Sequence, residues 1–458
     1  MAETSAEVTE ELRRALPDGA IVADPARMSG YRYDRANLPG AGTPLAVVKP
    51  SSTAEVQAVV RIAAAHRTPI IVRGAGTSLA GGSTARDGAI TLSTERMRGI
   101  TVDTGTRTAV VQPGLLNAEV KEAVREHGLW YPPDPSSFEI CSIGGNVATN
   151  AGGLCCVKYG VTTDYVLGLE VVLADGSAVR LGGPRIKDVA GLPLTKLFVG
   201  SEGALGIVTE VTLRLVPLPE RANVAVAFFS SVEDATDAVV AVTSRLRPSM
   251  VEFMDRASIN AVEDVTHMGL DRDAEALLLI GSDAHGEAAA AELALIEEIL
   301  REHRAGEHFV ADDAETADAF LAARRMALPA LETLGAVLIE DVGVPLPRFG
   351  DLVRGIAEIG ERHGIVVGLV AHAGDGNTHP NVVYDAMDED ATRRAWVVFG
   401  EIMDLAIALG GTITGEHGVG TMKNAWLEAQ LGPDAYRLGR RIKDALDPDG
   451  ILNPGIGL

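Results

Sequence analysis

The sequence predicts an α+β protein with two domains. At 458 residues the chain is too long for one ordinary hydrophobic core, so it forms two domains or one large two-lobed unit. Short apolar strands alternate with helices, a pattern typical of sheets packed against helices. Val216-Pro-Leu-Pro219 marks a boundary, because its two prolines end a strand and stiffen the link. We therefore expect a helical lead-in at residues 1–40, a first domain at 41–219 and a second domain at 220–458.

The first half of the chain begins with a short amphipathic helix at residues 7–16. Ser52-Thr-Ala-Glu55 has the S-x-x-E form of a capping box and predicts a helix that ends near His66. Pro69-Ile-Ile-Val-Arg73 is a buried strand that ends in glycines. Apolar runs predict five further strands, at residues 44–48, 89–92, 108–112, 167–173 and 207–215.

The second half restarts with a strand and a capped helix. The strand covers residues 223–229, and Ser230-Ser-Val-Glu233 opens the helix. Long helices rich in Ala and Glu are predicted at residues 287–304 and 314–328, and strands at 336–341 and 365–372. This mixture predicts a sheet with helices on one face.

Composition excludes several classes of function. The formal net charge of −23 argues against a nucleic-acid partner, since phosphate neutralisation needs a basic face. Residues 1–14 are acidic and lack a signal-like apolar core, and no run reaches the roughly 20 apolar residues that cross a bilayer. Cys141, Cys155 and Cys156 form neither a disulfide framework nor a CxxC pair, which indicates reduced, structural thiols. We expect a cytoplasmic protein and leave peripheral membrane contact open.

Three glycine-rich segments follow strands or precede them in the first half. We call residues 73–82, 142–153 and 200–206 the first, second and third glycine loops. The first loop is not a Rossmann fingerprint, because Leu79 stands where glycine is required, and no Walker sequence follows. One such loop is more often a tight turn than a cofactor site. Three in one domain imply close backbone approach to something large, and a dinucleotide fits better than a lone phosphate.

Histidines lie in two glycine-rich segments of the second half. His372-Ala-Gly-Asp-Gly-Asn-Thr-His379 places two imidazoles across a turn, and Gly415-Glu-His-Gly-Val-Gly420 adds a carboxylate and a third imidazole. Two imidazoles and a carboxylate suit a divalent transition metal. The spacing matches neither a zinc finger nor HExxH, so the residues alone leave a metal site and a structural role open.

The glycine loops, taken in order, resemble the PCMH-type FAD-binding domain of the vanillyl-alcohol-oxidase flavoproteins. The matching segments are RGAGT from Arg73, PPDP from Pro132, CSIGGN from Cys141, TNAGG from Thr149, KYG from Lys158 and GSEGALG from Gly200. The resemblance implies FAD, held non-covalently, because Thr77 or Ser78 stands where some members carry a flavin-linked histidine. It places the pyrophosphate against Arg73, Gly74, Ala75, Gly76, Thr77 and Ser78. It places other parts of the flavin near Pro133, Ser142, Gly145, Asn146, Asn150, Gly153, Ile207 and Asn453.

The histidine segments resemble the C-terminal signatures of D-lactate dehydrogenases, glycolate oxidase catalytic subunits and D-2-hydroxyglutarate dehydrogenases. The resemblance implies that His372, His379 and Glu416 bind zinc, manganese or iron, and that His417 acts as a base. Leu321-Ala-Ala-Arg324 is similar to a W-x-x-R segment whose arginine holds the substrate carboxylate, although Leu321 replaces the tryptophan. Arg324 and His372 are therefore expected to contact the substrate.

The resemblance implies oxidation of a small D-2-hydroxy acid by hydride transfer to the flavin. The 2-hydroxyglutarate enzymes carry a lysine before the strand aspartate, whereas this chain has Glu340-Asp341, and Glu340 would repel a second carboxylate. D-lactate is favoured on this basis, and glycolate stays open because it lacks only a methyl group.

Three alternatives remain. A glycolate oxidase catalytic subunit would need partner chains, and a flavin-binding accessory subunit would lack turnover. A metal-binding structural protein would leave the glycine loops unexplained. The electron acceptor (a quinone, a cytochrome, another electron-transfer protein or oxygen) and the oligomeric state, including a homodimer, are left open.

Overall fold

The computed structural model describes residues 2–220, 223–311 and 314–457. The chain forms two compact units, and neither is a single stretch of sequence. The first unit comprises Met1–Gly152, Val161–Leu218 and Glu416–Leu458. The second comprises Gly153–Gly160 and Pro219–Gly415. The chain therefore passes between the units four times.

Helices and strands alternate through both units. The α-helices are α1 (Ala2–Ala15), α2 (Pro25–Met28), α3 (Thr53–His66), α4 (Asn117–Arg125), α5 (Ile143–Thr149), α6 (Cys156–Tyr159), α7 (Leu194–Phe198), α8 (Val232–Arg245), α9 (Arg256–Thr266), α10 (Glu287–Glu302), α11 (Ala314–Arg325), α12 (Ala327–Glu332), α13 (Phe349–His363), α14 (Glu389–Ala408), α15 (Asn424–Leu431) and α16 (Pro433–Leu446). Short 3-10 helices cover Ser29–Tyr31, Thr162–Asp164 and Leu346–Arg348.

The strands are β1 (Ile21–Val22), β2 (Ala46–Val48), β3 (Ile70–Arg73), β4 (Ile90–Ser93), β5 (Ile100–Asp103), β6 (Thr108–Val111), β7 (Leu129–Trp130), β8 (Val166–Val172), β9 (Ala178–Gly182), β10 (Ile207–Arg214), β11 (Val216–Pro217), β12 (Asn223–Phe229), β13 (Met250–Asp255), β14 (Ala276–Ser282), β15 (His308–Val310), β16 (Ala336–Ile339), β17 (Val342–Gly343), β18 (Val366–His372) and β19 (Asn377–Tyr384). None of the helices in the described part of the chain is long and apolar enough to cross a membrane.

The first unit contains a four-stranded and a five-stranded sheet. In the order β1-β2-β4-β3, the last three strands are parallel, and α3 connects β2 to β3. The Ser52 Oγ accepts from the Glu55 amide at 3.3 Å, as the capping-box pattern predicts, and one face of α3 is buried. The second sheet, β5-β6-β10-β8-β9, is antiparallel, and a two-stranded ribbon pairs β7 with β11.

The second unit is built on an antiparallel sheet in the order β15-β12-β14-β13-β18-β19-β16, with β17 pairing with β19. The expectation of helices on one face is wrong. Met254 of β13 packs in a core with Ile259 of α9, whereas the ring of the adjacent Phe253 lies 5.8 Å from that of Phe349 in α13. Adjacent strand residues point to opposite faces, so helices cover both. The sequence of β14 agrees with this arrangement, because all seven of its residues are buried, as in strands covered on both sides.

Candidate functional site

The three glycine loops lie against one another in the first unit. The Ala75 amide of the first loop donates to the Ser142 Oγ of the second at 3.2 Å. The Gly200 amide of the third loop donates to the Val147 carbonyl in α5 at 2.8 Å. A Cβ on Gly74 would lie 2.4 Å from the Ser142 Oγ. Part of the glycine content is therefore required by the packing of the loops on one another.

Two residues near the C-terminus hold this arrangement together. The Asn453 Oδ1 accepts from the Val72 amide at 2.7 Å, and its Nδ2 donates to the Glu202 carbonyl at 2.6 Å. The buried Lys443 Nζ donates to the Ala204 carbonyl at 2.7 Å. The end of the chain thus ties β3 to the third glycine loop. Lys443 was missed in the sequence, because a helical lysine ordinarily indicates a solvated face.

The predicted asparagines make internal hydrogen bonds. The Asn146 Oδ1 accepts from the Asn117 Nδ2 at 3.0 Å, and the same Nδ2 lies 3.2 Å from the Pro133 carbonyl. The Asn150 Oδ1 accepts from the Thr163 amide at 2.8 Å, and its backbone is left-handed, with φ of 55°. These side chains fix the second glycine loop.

Arg73 and Gly76, two further predicted cofactor residues, lie close to each other in the first glycine loop. Arg73 is buried, and its guanidinium donates to the Tyr33 carbonyl at 2.9 Å. Burial lowers the pKa of Arg73, and burial raises the pKa of the neighbouring Asp34. A Cβ on Gly76, where φ is 75°, would lie 2.0 Å from the Arg73 Nη2, so this position requires glycine.

The remaining predicted residues are mostly held by backbone contacts. The Ser78 Oγ accepts from the Gly82 amide at 3.3 Å, and the Gly145 amide donates to the Ser142 Oγ at 3.3 Å. The Ile207 side chain is buried in the core beside Val172. Gly153 is counted with the second unit, whereas the other predicted cofactor residues belong to the first.

A buried carboxylate joins two of the predicted substrate and metal residues in the second unit. The pairing of β13 with β18 places Glu252 directly opposite His372. The Glu252 Oε1 lies 2.7 Å from the His372 Nδ1, and its Oε2 lies 2.9 Å from the Arg324 Nη2. All three residues are buried, whereas Arg325 is exposed. Sequence reasoning missed Glu252, although a glutamate within the apolar run Met-Val-Glu-Phe-Met was a signal.

His372 and His379 face each other across the β18–β19 hairpin. Their ring centroids are 5.1 Å apart, and a ring nitrogen of one lies within 4.8 Å of a ring nitrogen of the other. The buried Asp341 Oδ1 lies 3.8 Å from the His379 Nδ1. In both histidines the Nδ1 side of the ring therefore faces a buried carboxylate, which favours Nε2 as the ligand atom.

The segment that carries Glu416 and His417 is anchored at its start, at Gly415. The Asp341 Oδ2 accepts from the Gly415 amide at 2.9 Å, and Glu416 is the next residue in the chain. A Cβ on Gly415 would lie 2.2 Å from the Asn377 Oδ1, so a larger residue there would displace the Asn377 side chain. The His417 Nε2 lies 3.6 Å from the Glu416 Oε1, and the His417 side chain keeps 17% of its surface exposed. The His417 side chain is thus only partly buried.

Comparisons with known proteins agree with this architecture. Residues 44–182 match the family described as FAD binding domain, and residues 218–456 match FAD linked oxidases, C-terminal domain. Glycolate oxidase subunit GlcD of Bacillus subtilis (strain 168) is 42% identical over 428 residues, covering 93% of this chain and 91% of that one. The Escherichia coli (strain K12) subunit of the same name is 39% identical, covering 90% and 83%. A D-lactate dehydrogenase of Archaeoglobus fulgidus is 36% identical, covering 93% and 94%.

Solved structures show the same fold. A p-cresol methylhydroxylase with substrate bound superposes with a TM-score of 0.84 at 18% identity, covering 99% of this chain and 97% of that one. A 4-ethylphenol oxidase from Gulosibacter chungangensis superposes with a TM-score of 0.82 at 21% identity, with the same coverage. The predicted PCMH-type fold is confirmed. The chain is therefore an FAD-dependent oxidoreductase and belongs to the family of FAD-linked oxidases.

Proposed function

We propose that the protein oxidises a small 2-hydroxy monocarboxylic acid to the 2-oxo acid, with D-lactate and glycolate as the two candidate substrates. The observation that carries this proposal is the buried array of Arg324, Glu252 and His372. Burying a guanidinium and an imidazole inside an apolar domain costs free energy unless a ligand or a structural partner forms hydrogen bonds or ion pairs with them. A 2-hydroxy acid offers a carboxylate for the first and a hydroxyl for the second.

Arg324 is proposed to bind the substrate carboxylate. A guanidinium has five N–H donors arranged as a planar fork, and Glu252 engages only the Nη2 side. The Arg324 Nε is buried and makes no hydrogen bond within the described residues. A buried donor of this kind gains by meeting an anion. Glu252 orients the fork and prevents the guanidinium from being an uncompensated buried charge.

His372, His379 and Glu416 are proposed to hold a divalent cation. The donor set fits, because two imidazoles lie side by side with carboxylates behind both Nδ1 atoms, and Glu416 directly follows the anchored Gly415. Zinc, manganese and iron(II) all accept two imidazoles and a carboxylate. A bound cation would supply Lewis-acid polarisation and lower the pKa of a coordinated hydroxyl.

His417 is proposed as the general base that takes the hydroxyl proton. Its partial exposure leaves the ring accessible to a substrate. FAD, held non-covalently, supplies the hydride acceptor when bound. In this proposal Arg324 binds the carboxylate and His417 accepts the hydroxyl proton.

The buried Glu340 in the second unit supports a substrate with a single carboxylate. Glu340 is fully buried next to Asp341, and a second substrate carboxylate nearby would be repelled. This favours a monocarboxylate over 2-hydroxyglutarate. The sequence favoured D-lactate as the substrate. Two relatives, 42% and 39% identical, are named glycolate oxidase subunit, so we propose glycolate as an equal candidate. A glycolate oxidase subunit would pass its electrons through partner chains to a quinone, a cytochrome or an electron-transfer protein.

The test is anaerobic mixing of the flavin-loaded protein with D-lactate, L-lactate, glycolate and D-2-hydroxyglutarate, while the visible absorbance of oxidised flavin is followed. We expect bleaching with D-lactate, glycolate or both, loss of bleaching after metal chelation, and recovery with added zinc or manganese. Arg324→Lys should raise KM, whereas the matched control Arg325→Lys should not. Absence of bleaching with all four acids would overturn the proposal and favour a flavin-binding accessory subunit.

A further inference from the structure

Glu202 lies in the third glycine loop and is almost fully buried. Its Oε1 accepts from the Val419 amide at 2.8 Å, and its Oε2 accepts from the Gly420 amide at 2.8 Å. These two amides come two and three residues after His417. The Glu202 carboxylate therefore accepts two backbone hydrogen bonds from the segment that carries the proposed base.

Two glycines in this segment have positive φ and leave no room for a side chain. A Cβ on Gly418, where φ is 85°, would lie 3.0 Å from the Glu202 Cδ. A Cβ on Gly420, where φ is 55°, would lie 1.9 Å from the Ala80 carbonyl oxygen. Gly418 thus lets the backbone approach the Glu202 carboxylate closely, and Gly420 lets it approach the Ala80 carbonyl.

The backbone of Glu202 is bound to the other glycine loops. Its amide donates to the Ala148 carbonyl of α5 at 2.8 Å, and its carbonyl accepts from the Asn453 Nδ2 at 2.6 Å. Asn453 in turn holds the Val72 amide at the end of β3. Glu202 itself has a left-handed backbone with φ of 50°, an unfavourable conformation for a glutamate outside a specific structural demand.

Burial of this carboxylate is costly. Burial raises the pKa of Glu202, although the two backbone amides act in the opposite direction. An apolar residue of similar volume would avoid that cost, but it would leave both amides without an acceptor. The two hydrogen bonds to residues 419 and 420 therefore give this buried side chain a role beyond filling space.

We propose that Glu202 is a positioning residue for the reaction: it fixes His417 relative to the glycine loops that bind the flavin. This inference rests on the proposed function of His417 as the base. A misplacement of about 1 Å in a reacting group can lower a rate about 100-fold, so a rigid link between base and flavin loops has a direct kinetic effect.

The first test is Glu202→Gln in the flavin-loaded protein. A glutamine can accept a hydrogen bond from one of the two amides through its Oε1, but its Nε2 is a donor and cannot accept a hydrogen bond from the other. We expect the rate of flavin reduction at saturating substrate to fall about 10- to 100-fold with little change in KM. Glu210→Gln is the matched control, since Glu210 belongs to β10 in the same unit and pairs with the exposed Arg180.

A double-mutant cycle separates positioning from a general structural role. If Glu202 acts through His417, Glu202→Gln adds little to the loss already caused by His417→Ala. A general structural role gives additive losses and overturns the proposal. Amide hydrogen exchange supplies a readout independent of activity: Val419 and Gly420 should exchange faster in Glu202→Gln, with the rest of the unit unchanged. Unchanged exchange at both residues contradicts the inference.

The outcomes for the two proposals are distinguishable. A wild-type protein that is reduced by substrate, with an equally fast Glu202→Gln variant, overturns this inference alone. A wild-type protein that is reduced by no acid overturns both. Where Glu202→Gln does not accumulate in folded form, Glu202→Asp keeps the charge but shortens the reach, and the same rate loss per bound flavin is expected.

Discussion

Replacement of Glu252 by glutamine is the most informative change in the second unit. Glu252 is fully buried and lies 2.9 Å from the Arg324 Nη2 and 2.7 Å from the His372 Nδ1. Glutamine keeps the shape and one acceptor oxygen but removes the charge. Arg324 is then left as a buried cation without its counter-ion, and His372 has lost the carboxylate that orients its ring.

The size of the effect follows from the burial of the pair. Loss of one partner of a buried ion pair costs about 3–5 kcal/mol, because the remaining charge stays desolvated. The retained oxygen places Glu252→Gln at the lower end, about 3 kcal/mol. Native proteins have about 5–15 kcal/mol of stability in total, so the loss is readily measured. The affinity for zinc should also fall about 10- to 100-fold, as it does when the carboxylate behind a metal-binding histidine is removed.

The assay is urea denaturation followed by far-UV circular dichroism, together with competition for zinc by a chelating dye. Glu302→Gln is the matched control, because Glu302 belongs to the same unit and pairs with Arg245 at 3.4 Å while 54% of its side chain is exposed. That change should cost at most about 1 kcal/mol. If Glu252→Gln costs no more than Glu302→Gln and zinc affinity is unchanged, the reasoning about the buried array is wrong.

Three further predictions concern the base, the flavin loops and pH. His417→Ala should lower the rate of flavin reduction by about 10²- to 10⁴-fold while FAD stays bound, as measured by anaerobic stopped flow; an unchanged rate would remove His417 from the mechanism. Asn453→Ala should weaken the retention of FAD, measured by the fluorescence of released flavin. The Val72 amide and the Glu202 carbonyl would each lose a buried hydrogen-bond partner, at a cost of about 1–3 kcal/mol each. Full retention of FAD would contradict this prediction. Burial raises the pKa of Asp255 from 3.8 to about 6. Above pH 6 the buried carboxylate is ionised and lowers the free energy of unfolding, and this penalty disappears as the pH falls toward 3.8 and the carboxylate is protonated. Asp255→Asn should therefore raise the free energy of unfolding by about 1–2 kcal/mol at pH 7, with the gain vanishing below about pH 4; a gain that persists at pH 3.5 would show another cause.

Local patterns in the sequence predicted the local structure well. Ser52 caps α3, as the S-x-x-E pattern predicted, because a cap depends on residues three positions apart. The S-S-V-E pattern placed the start of α8 at Ser230, whereas the cap is the next residue, Ser231, whose Oγ accepts from the Asp234 amide. The helix predicted at residues 314–328 is divided into α11 and α12, and Pro329 lies in the first turn of α12, where its missing amide is tolerated. Strands β13, β14 and β19 were not among the predicted strands.

The residues that support the site could not be read from the sequence, because their partners are distant along the chain. Glu252 is 120 residues from His372, and Glu202 is 218 residues from Gly420. No spacing rule connects such pairs. The glycine and histidine segments were found because each is a local cluster, whereas an isolated buried glutamate is recognised only when the strands that pack around it are known.

The attachment of the C-terminal residues to the third glycine loop has a consequence for biosynthesis. Lys443 and Asn453 supply bonds that β3 and the third glycine loop need, yet a ribosome makes them more than two hundred residues after that loop. The glycine loops cannot complete these bonds before residues 443–453 have been synthesised. Flavin loading should therefore follow synthesis of those residues, and a fragment that stops at residue 218 should neither retain FAD nor resist proteolysis at the third glycine loop.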